Sequence, residues 1–564
     1  MIADTLASLL LARAEDDRPG LMYEDAVWSW REHVAACRAA GAWLSGQGAG
    51  PHVGVLGDNV PGLVFLVGAA ALGGPVVVAL NPTRPADELI RDARATDVNL
   101  LLADAPHTEA ARTVAEALGI ATVPLSAVPP AVPPTGTPGP PGGGQAPDGD
   151  PRTDGRRSPD EAPATSRVAP AAPGDLVMLL FTSGTSGRPR AVRITQRKLA
   201  VPGTSLAALL TPGDVVYCSM PLFHSGALMA AYAPAVASGA ALALRRRFSA
   251  SGLLPDIRRY GVTYLHYVGK ALSYVLATPE RPDDADNPLK IAFGNEGSAV
   301  AIRRFGERFG CRVIDAFGST ETAISFSPDP AGPPGCLGRL PGSVKILDPS
   351  TGRPCPPGRI EEGRLLNPEE AVGELVNTAG LGLFEGYYND PEADAERVRN
   401  GAYWSGDLAY TDADGYVFFA GRGTERPRVD GENLAVAPVE AALREFGGVV
   451  EAAVYPVPDP AAGDQVMAAL VMEGTFDPAA FLAFLESRRD LGTKSLPRYI
   501  RLSDHLPQTP SHKVIKRILA REAWRAADPV WLRTPTGFRP LTGADVKGIE
   551  EEFVRHGRHH LLER

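Results

Sequence analysis

Two kinds of apolar spacing alternate along the first 125 or so residues. WREHVAACRAAGAWLSGQ sets small and aromatic apolar residues at helical intervals among charged ones, whereas HVGVLG, VVVAL and NLLLAD are short continuous apolar runs. The first pattern predicts helices that bury one stripe, the second strands buried on both faces, and together they predict a parallel sheet covered by helices. PGLVFLVGAAALGGPVVVALNPT, near residues 61 to 83, approaches the length of a membrane span. Gly73-Gly74-Pro75 divides it, so it reads as helix, tight turn and buried strand.

The alternation resumes at DLVMLLFTSG and runs through VVYCSMP, ALAL, VTYLHYVG, LKIAFGN and RVIDAFG. After about residue 330 the text becomes richer in turns and β-like (GELVN, YVFFAG). Past GRGTERPRVDGEN comes an α+β pattern: APVEAALREF, VVEAAVYPVPD, QVMAALVM, FDPAAFLAFLESR and LPRYIRLSDHLPQTPSHKVIKRIL. The expected architecture is a large α/β domain followed by a separate, small α+β domain. Between about 126 and 173 the text turns to VPPAVPPTGTPGPPGGGQAPDGDPRTDG and similar, which cannot form a core and reads as a flexible surface insertion.

Composition narrows the function classes. At 564 residues the chain exceeds one core, and its net charge of −10 disfavours a nucleic-acid binder. The five cysteines (37, 218, 311, 336, 355) form no CxxC pair, which fits a reducing compartment and gives neither a disulfide framework nor a zinc site. MIADTLASLLLARAEDD lacks a basic leader and reads as an amphipathic helix. The expected location is cytoplasmic, with peripheral membrane contact left open and no integral membrane segment.

Chemistry concentrates first in FTSGTSGRPR. Gly184 and Gly187 let backbone N–H groups turn towards one point, Thr182, Ser183, Thr185 and Ser186 add hydroxyls, and Arg188 and Arg190 add charge. Such a stretch can cradle a polyphosphate, although no GxxxxGK[ST] loop occurs in the chain. On composition alone, a serine- and glycine-rich surface loop accounts for it equally well.

With DAFGSTET (315 to 322), YWSGDLAYTDADGYVFFAGR (403 to 422) and LPQTPSHKVIKR (506 to 517) in register behind it, the chain resembles the AMP-forming acyl-CoA synthetases and their adenylating relatives over nearly its whole length. PLFHSGAL, RRRFSASGL, YLHYVGKAL, FGNEGS and VDGENLAV resemble the fatty-acid transport protein and very-long-chain acyl-CoA synthetase branch. The resemblance implies an α/β fold: a large N-terminal adenylate-forming domain of layered sheets and helices over 1–422, and a mobile α+β C-terminal lid over 423–564. It implies ATP, Mg2+ and coenzyme A, and a carboxylic acid that is fatty or otherwise hydrophobic. The acid attacks the α-phosphate, pyrophosphate leaves, and a thiol then takes the acyl group.

The resemblance also distributes roles. Thr182, Ser183, Gly184, Thr185, Ser186, Gly187 and Arg190 would hold the β and γ phosphates, Glu321 would ligate Mg2+, and Thr320, with Gly318 and Ser319 beside it, would touch the α-phosphate or adenylate. Phe317 would stack on adenine, and Gly294, Asn295 and Glu296 would line the nucleotide site. Asp407 would accept from both ribose hydroxyls, and Arg422 would reach ribose or phosphate. Lys513 is the expected catalytic lysine, with Lys516 and Arg517 as local competitors. His224 falls between the acyl pocket and the phosphates, where a gate and a core histidine are both reasonable. Thr424 falls at the hinge, and Gly431 would face the pantetheine tunnel.

Some positions depart from the family pattern: Arg190 stands where the loop usually ends in lysine, Ser186 where threonine is common, Thr424 at a usually charged hinge, and Pro427 stiffens the segment after that hinge. Competing readings are an adenylating enzyme with another acceptor (a carrier protein or an amine), a diazotase that activates nitrite for an aromatic amine, and a binding protein without catalysis. The tail from about 525 resembles the branch's C-terminal extension, without an assigned role. Oligomeric state is not set by the sequence.

Overall fold

The computed structural model describes residues 4–129 and 170–563 except 184–188, 270, 298, 362–363, 423–426, 430–431, 435, 462, 489–490, 492 and 510–512. Two large sheets carry the first half of the chain. One has six strands in the order Ala121–Pro124, Leu100–Ala103, His52–Leu56, Val76–Ala79, Leu176–Ser183 and Pro189–Thr195, all parallel except the last pair. The other has seven: Arg312–Asp315, Ile291–Asn295, Tyr264–Val268, Val215–Cys218, Ala241–Leu244, Pro19–Tyr23 and Ala26–Ser29, again parallel but for the final hairpin.

One apolar cluster joins these two sheets. It takes Val53, Val77 and Val192 from the first and Val216, Leu242 and Tyr264 from the second, with helices Trp30–Gly46 and Pro61–Ala71 contributing Val34, Ala40, Phe65 and Leu66. Trp30–Gly46 starts with a reciprocal cap between Ser29 and Glu32. Pro61–Ala71 is buried from Leu63 to Ala71, so its near-uniform apolar text is core and not a span. It stops at the left-handed Gly73 before the strand Val76–Ala79, as the glycine pair predicts. No described helix is long and apolar enough to cross a membrane.

A third sheet, antiparallel, comes next in the chain: Cys336–Arg339, Tyr416–Arg422, Ala402–Thr411, Gly373–Asn377 and Val344–Leu347, with Val398–Arg399 paired on Ala402–Thr411. The small C-terminal domain is a five-stranded sheet, Val449–Pro458, Asp464–Met472, Tyr499–Leu502, Val530–Thr534 and Gly537–Pro540, with apolar clusters of its own on both faces. The tail left without a role supplies the last two strands and the helix Gly543–Arg555, whose Phe553 is fully buried and stacks on Trp524 at 5.9 Å.

Two expectations need adjustment. The N-terminal helix is short, Leu6–Leu11, and buries Leu6, Leu9 and Leu10. The expected insertion begins too early at 126, because Val128 is buried in the core beside Leu125; residues 130–169 lie outside the described ones. All five cysteines are free thiols.

Candidate active site

The strand ends carry the motifs. Leu176–Ser183 and Pro189–Thr195 form a hairpin in which Thr182 pairs with Arg190. Gly184, Thr185, Ser186, Gly187 and Arg188 at its turn, and the side chain of Ser183, lie outside the described residues, as do Thr424 and Gly431. Arg190 is 4% exposed, pairs with Glu396, and lies 5.4 Å over the Tyr387 ring. Its guanidinium therefore braces the base of the turn.

Glu321 sits on the loop after Arg312–Asp315, where Tyr387 donates to its Oε1 at 3.0 Å. That bond fixes the carboxylate and leaves Oε2 for another partner. Thr320 Oγ1 lies 2.9 Å from Ser225 Oγ, the residue after His224, so the GSTET loop is tied to PLFHSG. His224 caps the short helix Ser225–Ala227, with its ring 4.8 Å from that of Phe223. Ser319 accepts from the N–H of Thr322, and Gly318 is exposed. Phe317 packs edge-on to Phe326 at 5.4 Å, which leaves it half-buried at the rim of the third sheet's core.

Gly294 pairs with Tyr267 in the strand beside it, and Asn295 with Val268. Asn295 Oδ1 is a buried acceptor with no partner among the described residues. Glu296 comes next with φ of 64°, and Thr322 has φ of 56°, so two non-glycine residues of this rim hold left-handed backbones. Asp315, which the motif reading passed over, anchors the loop: Tyr267 donates to its Oδ2 at 2.7 Å and the Gly297 N–H at 2.8 Å. Burial pushes its carboxyl up to about 6.

Asp407 and Arg422 face each other across the third sheet, Nε to Oδ1 3.2 Å. Arg397 donates to Ser405 O at 2.7 Å and Glu374 accepts from the Gly406 N–H at 2.6 Å, so the strand just before Asp407 is held from both sides. Burial raises the Asp407 carboxyl above the usual range, against the pull of Arg422 and Arg397; Glu321 also raises it, and Lys513 lowers it. A raised value means that acid removes the negative charge sooner than for an ordinary aspartate. If Asp407 accepts from ribose hydroxyls, KM for ATP should climb as pH falls, from a pH above the usual carboxylate range. Asp407→Asn should abolish that limb of a pH profile of KM, and an unchanged profile would remove Asp407 from nucleotide binding.

From the small domain, Lys513 Nζ reaches Glu296 Oε1 at 2.6 Å. Lys513 thus meets Glu296, and the charges of Lys513 and Glu321 both act on the Asp407 carboxyl. Lys516 Nζ pairs with Glu440 at 2.8 Å, both largely buried within the small domain, while Arg517 is exposed. Sequence reading missed Tyr387, Arg397 and Lys198. Lys198 is 1% exposed under the Phe384 ring; burial lowers it to about 8, opposed by Glu321 and Glu385. Only the run of aromatics in FEGYY hinted at this side of the site.

No group of three or more His, Cys, Asp or Glu able to hold a metal occurs among the described residues. A cation that keeps its waters and shares phosphate oxygens needs only one or two carboxylates, and Glu321, with one oxygen committed to Tyr387, fits that kind of site. The buried orphan acceptor of Asn295 and the carboxylate of Asp407 fit a ligand rich in N–H and O–H donors, as a nucleoside is.

The family profile for AMP-binding enzymes matches residues 11–388, and that for the AMP-binding enzyme C-terminal domain matches residues 438–513. The chain is 47% identical over 534 residues to a medium/long-chain-fatty-acid–CoA ligase of Mycobacterium tuberculosis, covering 93% of this chain and 98% of that protein. It is 43% identical over 580 residues to the steroid-22-oyl-CoA synthetase of Rhodococcus jostii, covering 99% of each. The crystal structure of ATP-bound MatB from Rhodopseudomonas palustris superposes with a TM-score of 0.74 at 23% identity, over 92% of this chain and 98% of that one.

Proposed function

The chain belongs to the AMP-binding enzymes, as an ATP-dependent acid–CoA ligase, and we propose that its acid is hydrophobic, of the fatty or steroid-side-chain kind. The observation that carries the chemistry is the reach of Lys513 from the small domain to Glu296 on the large domain, where the charges of Lys513 and Glu321 both act on Asp407. The acid class is supported by the names of the two relatives. In PLFHSG, a Cβ on Gly226 would lie 2.9 Å from the His266 ring, so the glycine lets this segment pack close against it.

The proposed mechanism has two displacements at one site. A carboxylate oxygen attacks the α-phosphorus of ATP, the bond to the β-phosphate oxygen breaks, and pyrophosphate departs. The thiol of coenzyme A then attacks the acyl carbon and AMP leaves. In the first step three anions crowd together, so fixed positive charge where negative charge grows is the largest available help. Lys513 supplies it, Asp407 accepts from the ribose, Asn295 accepts from the base, and Thr320, held by Ser225, borders the phosphorus. Glu321, positioned by Tyr387, would hold Mg2+, which neutralises phosphate charge when bound. The small domain has apolar clusters of its own, so Lys513 enters from a separately packed unit.

The test is pyrophosphate release by the purified chain with medium- and long-chain fatty acids, steroid side-chain acids, short acids, aryl acids and nitrite, with and without coenzyme A. Thioester formation confined to the hydrophobic acids is expected. Release that needs nitrite and an amine, or release with short acids alone, would overturn the proposed substrate class.

A further inference from the structure

Besides Lys513 and Glu296, a second polar contact crosses between the large and small domains. Helix Ala271–Leu276 comes after the strand Tyr264–Val268 and buries Ala271, Leu272 and Val275 in the large domain's core. Tyr274, on the other side of that helix, reaches the small domain: its hydroxyl lies 2.8 Å from Gln508 Oε1 and 3.3 Å from Glu451 Oε1. Gln508 in turn donates from Nε2 to both oxygens of Glu451, at 3.2 and 3.3 Å. Glu451 is 6% exposed, so this polar group works in a poorly solvated contact where unmade bonds are expensive.

Gln508 belongs to the same hairpin as Lys513. Gln508 bridges Val514, the Thr509 N–H donates to Lys513 O at 2.8 Å, Lys513 N–H donates to Thr509 Oγ1 at 3.1 Å, and the Ile515 N–H donates to Pro507 O at 2.8 Å. The arm that Tyr274 grips is therefore rigidly joined to the arm that carries the lysine. On the large domain, Tyr274 and Glu296 lie just beyond neighbouring paired strands, since Val268 pairs with Asn295. Among the described residues, the hairpin is thus held to the large domain at Lys513 itself and at its base.

Resting on the function proposed above, we propose that Tyr274 is a positioning residue that sets Lys513 in the adenylation site by holding Gln508 and Glu451. It touches no reacting atom. Its influence falls on the step that uses Lys513 and not on the transfer of an already formed acyl group.

Tyr274→Phe removes the hydroxyl alone. With the full chain, acyl-adenylate formation from ATP and acid is measured in single turnover, and thioester formation is measured separately from synthetic acyl-adenylate and coenzyme A. Adenylation should fall about tenfold, the size of one hydrogen bond to a charged network, while thioester formation stays within about twofold. In a Lys513→Ala background the same change should cause no further loss, because a residue that acts through Lys513 has nothing left to act on. Gln508→Glu, which sets a second carboxylate against Glu451, should give the same split with a larger loss; it also serves if Tyr274→Phe lowers the melting temperature. Unchanged adenylation, equal loss in both steps, or an equal loss with and without Lys513 would overturn the proposal. A wild-type chain that forms no acyl-adenylate would instead overturn the function on which it rests.

Discussion

Replacing Lys513 by alanine is expected to slow acyl-adenylate formation by about 10²–10³-fold, the range seen when one fixed donor to developing charge is removed. The Lys513 ammonium meets Glu296 at 2.6 Å and is 40% exposed, so it can shift from that carboxylate to an incoming phosphate. Arg190, also assigned to phosphate, pairs with Glu396 and lies over Tyr387, Arg422 pairs with Asp407, and Lys198 is buried beneath Phe384. None is placed to substitute. Thioester formation from supplied acyl-adenylate should be nearly unaffected, because the thiol attacks the acyl carbon there and no bond to phosphorus forms or breaks. Rapid-quench measurement of each half-reaction distinguishes the outcomes, and an equal loss in both would remove Lys513 from the phosphoryl step.

The second large effect is on folding. A methyl group on Gly294 would lie 2.2 Å from the Tyr267 carbonyl oxygen and 2.7 Å from its ring, and the first neighbour is backbone that cannot rotate away. Gly294 and Tyr267 are register partners, so relief would require prising the two strands apart beside Asn295 and Glu296. Gly294→Ala should destabilise the large domain by about 3 kcal/mol, as overpacking against fixed neighbours does. Gly318, where an added Cβ meets nothing within 4 Å, is the matched control, and Gly318→Ala should shift stability by less than about 0.5 kcal/mol. Urea unfolding of the two variants measures both, and equal midpoints would refute the close-approach account.

Much of the fold and site is legible in the sequence. The split of residues 61 to 83 into helix Pro61–Ala71 and strand Val76–Ala79 comes from two glycines and a proline, because local backbone preference settles it. Asp407, Glu321 and Lys513 stand out because motif spacing marks them, and the fold brings them into one neighbourhood. Other residues escape because their roles are relational. Tyr387 matters through a bond to Glu321 that spans 66 residues, and Tyr274 through bonds that span 177 and 234, separations to which no periodicity points. Lys516 shows the opposite failure: beside Lys513 it looks equally basic, and only its pairing with Glu440 reveals a structural anchor. The tail after residue 525 looks detached because its strands join a sheet whose other members lie earlier in the chain.

The groups proposed to surround the nucleotide come from different layers. The Thr182 hairpin ends the first sheet, Asn295 and the Glu321 loop end the second, Asp407 lies in the third, and Lys513 belongs to the small domain. A ligand that touches all of them acts as mortar between the first two sheets, which share one core, and the third sheet and small domain, which have clusters of their own. By linkage, ATP at a hundred times its dissociation constant would add about 2.7 kcal/mol to the whole assembly, spread over every seam it bridges. The molecule's thermal endurance is in that sense partly a reading of how much nucleotide surrounds it.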